Sequence, residues 1–242
     1  MPHRALRPPS FRRSELSRFR RQPELWRRDE ALAQLKCTLR GMGRILFVRH
    51  GQSEWNAQGR WQGQADISLS DLGRRQARAA TKNLGSFDVI AASPLARAAE
   101  TAYIFSTELG IGPIVPVPEL VERSAGEWSG LTRDDITRDW PGYLEEGKRP
   151  PSYENDDELW QRILPGLETV FDMLGPNDEA LVVAHGGLIY LLEDRCGTKQ
   201  GPISNVGAIW LSQDPNGEIV AGERVELIDE SDVRTAQGSD VL

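Results

Sequence analysis

A chain of 242 residues, 39% hydrophobic and 27% charged, can bury one substantial core. It has no unbroken apolar run of the roughly 20 residues that a membrane-spanning helix needs. The net charge of −7 is unevenly spread: residues 1–42 hold 11 Lys+Arg against 4 Asp+Glu, the remainder 18 against 32, and so acidic a remainder argues against a nucleic-acid partner. Two cysteines, Cys37 and Cys196, supply neither a disulfide framework nor a CxxC pair, and three histidines are few for zinc. A cytoplasmic protein with reduced thiols and no membrane role is the expectation.

Residues 1–42 read as a basic N-terminal extension, disordered or partly helical over Glu24 to Leu39. It lacks the apolar centre of a secretory signal, and its acids argue against a transit peptide. An inert extension with Met42 as the start is one reading; an arm for an anionic partner is the other. From Gly43 the pattern changes. Arg44-Ile-Leu-Phe-Val-Arg49 is a buried strand closed by a turn at Gly51. Ser70 is the N-cap of a helix carried by Gln76, Ala77, Ala80 and Leu84. Phe87 to Ala92 is the next strand, and Ser93-Pro94 caps and opens a helix that ends at Gly110. Ile114 to Val117 is a short or edge strand because of Pro116. Leu120 to Gly130 is a loop. Asp156 to Leu174 is an amphipathic helix that Pro165 kinks or splits. Glu179 to Ala184 is a buried strand running into His185-Gly186-Gly187, with a helix from Leu188 to Arg195. Ala208–Leu211 and Glu218–Ala221, joined through Asp214-Pro-Asn-Gly217, form a hairpin, and residues 230–242 are a polar tail.

Alternating strands and helices define an α/β fold, with a mostly parallel central sheet between two helical layers, over residues 43–229. Ligands bind such sheets beyond the carboxyl ends of the strands, a rule that gathers Arg49, His50, Ser93 and His185 on one rim. His50 and His185 each end an apolar strand and each precede glycine. Gly51 and Gly186 would let a ligand approach the backbone there. Arg97 lies one turn into its helix, the charged residue of an otherwise apolar turn, and its planar fork suits phosphate. Trp55, Trp61 and Trp128 could line the pocket mouth or simply fill core.

The segment Arg49-His50-Gly51-Gln52-Ser53-Glu54-Trp55-Asn56 resembles the R-H-G-[EQ]-[ST]-x-x-N signature of the histidine phosphatase superfamily, the phosphoglycerate mutase-like proteins of branch 1. Gln62-Gly63…Asp66…Leu69-Ser70…Gly73, Ser93-Pro-Leu-x-Arg97-Ala98, Leu120-Val-Glu122 through Gly130, and Val183-Ala-His185-Gly186 resemble its further motifs in the same order. The resemblance implies a three-layer phosphoglycerate mutase-like fold. It implies His50 as the nucleophile, Glu122 as the proton donor, chosen over Glu119 and Glu127, and His185 as the third catalytic residue. The substrate-binding set would be Arg49, Asn56, Gln62, Gly63, Arg97 and Gly186, with no cofactor and no metal. The chemistry agrees. Phosphate monoesters need charge stabilisation on the transferring group, which Arg49, Arg97 and a protonated His185 would provide. His50 must attack through a neutral nitrogen, with its other nitrogen donating to a backbone carbonyl or similar acceptor.

The implied activity is a metal-independent phosphomonoesterase acting through a phosphohistidine on a small phosphorylated metabolite. Arg123-Ser124-Ala125 and Gly187-Leu188 stand where mutases carry other residues, and the segment from Gly130 to Asp156 is short, which favours hydrolysis over mutase chemistry. Gln62-Gly63-Gln64-Ala65-Asp66, His185 to Ile189 and the closing Ser-Asp-Val-Leu242 resemble actinobacterial phosphatases acting on sugar or glycerate phosphates. A cofactor-dependent phosphoglycerate mutase is the alternative; a non-catalytic phosphate-binding regulator is the alternative of another class. Homodimerisation is left open.

Overall fold

The computed structural model describes residues 43–228. The basic extension, its expected helix, Cys37 and the tail 230–242 lie outside the described residues. Six strands form one sheet: β1 (Arg44–Arg49), β2 (Val89–Ala92), β3 (Ile114–Pro116), β4 (Glu179–Ala184), β5 (Ala208–Gln213) and β6 (Ile219–Val225). Their order is β3-β2-β4-β1-β5-β6. The first four run parallel, and β5 and β6 add as an antiparallel hairpin.

The helices are α1 (Glu54–Ala57), α2 (Asp71–Ala80), α3 (Ala96–Leu109), α4 (Arg133–Asp139), α5 (Asp156–Phe171) and α6 (Gly186–Arg195). Period-two alternation along β1 shows why both sheet faces are covered. Ile45 and Phe47 enter a core with Leu159, Ile163 and Leu167 of α5 and Leu188 and Leu192 of α6. Leu46 and Val48 enter the opposite core with Ala77 and Ala80 of α2 and Ala98, Ala102 and Phe105 of α3. Each Val, Leu, Ile or Phe among these contributes about 1.5–3 kcal/mol when fully buried, and the alanines less. The result is a three-layer arrangement of helix, sheet and helix. A third cluster, Trp61, Ala125, Trp128 and Ile136, packs beside the rim. Among the described residues no helix is long and apolar enough to cross a membrane.

Several local expectations need correction. Helix α3 begins at Ala96, with Leu95 rather than Ser93 in the cap position. The cap comes from afar, because Asp66 Oδ1 accepts the Ala96 N–H at 2.7 Å, while Ser93 Oγ accepts the Leu95 N–H at 3.3 Å just before the helix. Helix α5 continues through Pro165. The expected loop from Leu120 contains a short 3₁₀ turn, Gly126–Trp128. Helices α1 and α4 were missed, although Ser53 with Asn56 and Thr132 with Asp135 form reciprocal capping boxes.

Candidate active site

Arg49 and His50 leave the end of β1, Ser93 leaves β2 and His185 leaves β4. The His50 amide donates to Ala184 O at 3.0 Å and the Ser93 amide to Val183 O at 2.9 Å, so neighbouring strands hold this rim in register. The two imidazoles lie with ring centroids 5.2 Å apart. His50, Arg97, Glu122 and His185 are all buried.

The hydrogen bonds of His50 fix its tautomer. Nδ1 donates to Gly51 O at 2.6 Å, and Nε2 accepts from Arg97 Nε at 3.2 Å. The lone pair is therefore on Nε2, facing the guanidinium. Burial first, then the charges of Arg97 and Arg49, hold His50 well below the ordinary 6.5, against the opposing effect of the Gly51 carbonyl. Arg97 also donates through Nη1 to Ala65 O at 2.7 Å and through Nη2 to Gly63 O at 2.8 Å. Burial lowers it to about 10, opposed by the carboxylates of Glu122 and Asp66, so it stays cationic at neutral pH.

His185 Nε2 lies 2.7 Å from Ser93 Oγ. Its Nδ1 is buried and has no hydrogen-bond partner among the described residues. The expected protonated His185 is corrected for the protein alone: burial, then Arg97 and His50, hold its pKa well below 6.5. A bound dianion is what would raise it.

Glu122 is held at both oxygens. Oε1 accepts the Arg123 amide at 2.7 Å and Oε2 the Gly187 amide at 3.3 Å. Arg49 reaches the loop before β5, donating to Ile203 O. The remaining candidates lie in the surrounding shell. Asn56 Oδ1 accepts from the Ser53 amide at 3.1 Å as the cap of α1. Gln62 Oε1 accepts from Ser53 Oγ at 2.7 Å. Gly63 adopts φ +51°, and a Cβ there would meet Ala125 N at 2.7 Å, so the carbonyl that receives Arg97 depends on a glycine.

The two glycines that follow the histidines differ in their protein neighbours. A Cβ on Gly51 would meet Gly73 O at 2.6 Å, so its bareness admits the start of α2. On Gly186 the nearest atom would be Arg49 Nε at 3.5 Å, ordinary contact. Gly187 has the tighter constraint, since a Cβ would come within 2.4 Å of Glu122 Oε1.

Beside Glu122 a cleft of about 570 Å³ is lined by Arg123, Arg149, Tyr153, Asn155, Gly187 and Tyr190, among others. The Arg149 guanidinium carbon sits 5.7, 5.4 and 5.5 Å from the ring centroids of Trp61, Trp128 and Tyr153. Arg149 and Tyr153 were not singled out from sequence, and Arg123 and Gly187 were noted only as departures from the mutase pattern, not as site residues. Trp61 and Trp128 are buried, and Arg149 stacks over both.

Two buried imidazoles and a buried guanidinium gathered at the carboxyl ends of a parallel sheet are groups suited to a tetrahedral anion. The sequence model of the histidine phosphatase superfamily (branch 1) matches residues 45–206, and the chain belongs to that superfamily. Among its relatives is an uncharacterized phosphatase, PhoE, of Bacillus subtilis, 37% identical over 62% of this chain and 76% of that one. A 2,3-bisphosphoglycerate-dependent phosphoglycerate mutase of Methylorubrum extorquens is 34% identical over 61% of this chain and 76% of its own length. A mycobacterial glucosyl-3-phosphoglycerate phosphatase, solved in complex with VO3, superposes with a TM-score of 0.66 at 29% identity, covering 74% of this chain and 96% of that one. The chain is a phosphatase of this superfamily.

Proposed function

We propose that the chain hydrolyses a small phosphorylated metabolite by way of a phosphohistidine on His50. The observation that carries this reading is the state of His50: Nδ1 is committed to Gly51 O, and burial and two arginines keep the ring neutral, with its lone pair on Nε2. In the first step Nε2 attacks phosphorus and the P–O ester bond breaks. The leaving oxygen takes a proton from the Glu122 carboxyl. In the second step the Glu122 carboxylate takes a proton from water, the water oxygen bonds to phosphorus, and the N–P bond breaks to release inorganic phosphate. Arg49, Arg97 and His185, whose Nδ1 has no hydrogen-bond partner among the described residues, stabilise the equatorial oxygens. Gln62 and Gly63 act through the loop that seats Arg97, and Asn56 through the turn after His50.

The leaving group must lie on the Glu122 side, where the cleft with Arg149, Tyr153 and Lys199 suits a polar, hydroxyl-rich or acidic alcohol. The likeness to glucosyl-3-phosphoglycerate phosphatase makes that ester the first to test. The experiment is a phosphometabolite panel without added metal, read for phosphate release and for 3-phosphoglycerate to 2-phosphoglycerate interconversion. Release from sugar or glycerate phosphates without interconversion is expected. Interconversion outpacing release would replace hydrolysis with mutase chemistry.

A further inference from the structure

The loop that carries Glu122 is not held by strand or helix. Residues 122–125 have no regular secondary structure, yet the acid must be fixed against His50 and the leaving oxygen. Three of the carbonyls leading into the loop are bound by one side chain of α5, while Gln64 Nε2 adds a second donor to Glu122 O at 3.1 Å and the Glu154 amide donates to Ser124 O at 3.1 Å. Arg162 Nη1 donates to Glu119 O at 2.6 Å and to Val121 O at 2.9 Å, and Nη2 donates to Glu122 O at 3.2 Å. The other two donors go to Glu154: Nε to Oε1 at 2.7 Å and Nη2 to Oε2 at 2.8 Å. A guanidinium has five N–H groups, and here each has an acceptor.

Glu154 closes the bracket, because its Oε2 also accepts the Ser124 amide at 3.0 Å. The backbone carbonyls before Glu122 and the amide two residues after it are thus tied to a single ion pair, largely withdrawn from solvent. One turn further along α5, on the same face, Gly166 lets the helix approach the loop. A Cβ there would meet Glu119 Cβ at 2.8 Å.

We infer that Arg162, paired with Glu154, is a positioning residue for the proton-transferring Glu122. The inference rests on the proposed role of Glu122. Lysine keeps the charge but offers three donors on a point centre, so it cannot bridge three carbonyls and a carboxylate together. Misplacement of the acid by about 1 Å costs on the order of 10²-fold. It does so most where the leaving group needs a proton.

The test compares an alkyl phosphate with p-nitrophenyl phosphate in Arg162→Lys, Glu122→Gln and the double variant, with folding followed by circular dichroism. Arg162→Lys is expected to lose about 10²-fold in kcat/KM on the alkyl ester and far less on the activated one, because kcat/KM reports the phosphorylation step, in which Glu122 gives its proton, and not the dephosphorylation that both esters share. In the Glu122→Gln background the same substitution should cost almost nothing more. Equal losses on both esters, persisting in that background, would show a general structural role and overturn the inference. Should Arg162→Lys fail to fold, Glu154→Gln carries the same comparison. If Glu122→Gln itself affects both esters equally, the acid assignment fails instead, a separate outcome.

Discussion

Gly187 shows how much a single missing methyl can matter at this site. Its amide donates to Glu122 Oε2, and a Cβ would intrude to 2.4 Å from Oε1. Gly187→Ala is therefore expected to push the acid aside while leaving His50 and Arg97 in place. The kinetic prediction is a loss of tenfold or more in kcat/KM on an alkyl phosphate, at the order of magnitude of an ångström-scale misplacement, with a smaller loss on p-nitrophenyl phosphate. A variant with wild-type rates on both esters would mean that Glu122 is not the proton donor. Neighbouring Gly186, named from sequence, lacks this constraint. The two glycines look alike in the chain and differ only in which side chain folds over them.

Helix α6 and strand β6 are joined by a pair whose fate is separable from catalysis. Glu193, 1% exposed, accepts from Arg224 Nε at 2.6 Å and Nη2 at 2.8 Å. The hydrogen bond to Glu193, with its charge, raises Arg224 above its ordinary value, against burial. Arg224→Met leaves a buried carboxylate without its cation and is expected to cost about 3–5 kcal/mol in chemical denaturation. No loss would mean that water already solvates Glu193. At this scale the parallel strands and long helices were legible, because Phe47, Val48, Leu181 and Val183 are buried on both sheet faces and α5 repeats at helical spacing. The short α1 and α4 were not, since four and seven residues carry too little periodicity and only their capping boxes mark them. Arg162 was equally hidden, because an arginine on an amphipathic helix reads as a solvated face until the loop it holds is folded beside it. His50, Arg97 and His185 could be gathered in advance because strand ends converge by topology. Arg149 could not, since its place over three rings depends on turns with no regular pattern.

For the whole molecule, the site carries a cost that pH should reveal. Both imidazoles titrate well below 6.5 in the folded protein, chiefly through burial. As pH falls through 6.5 the unfolded chain takes up protons that the folded chain refuses, so stability is full above that value and declines below it. Thermal unfolding at pH 6.0 is expected at a lower temperature than at pH 7.5, a window chosen above carboxylate titration, and His185→Asn should flatten the difference. A Tm that holds or rises on acidification would mean that the rings are charged when folded. Bound inorganic phosphate should oppose the decline, because a dianion favours the protonated His185.

The most direct measurement is to trap the intermediate. The enzyme is mixed with p-nitrophenyl phosphate, quenched in alkali during turnover, and mapped by mass spectrometry. A phosphoryl group on the peptide bearing His50, absent from His50→Ala together with turnover, is the predicted result. Undiminished hydrolysis by His50→Ala, or phosphorylation found at another residue, would contradict it.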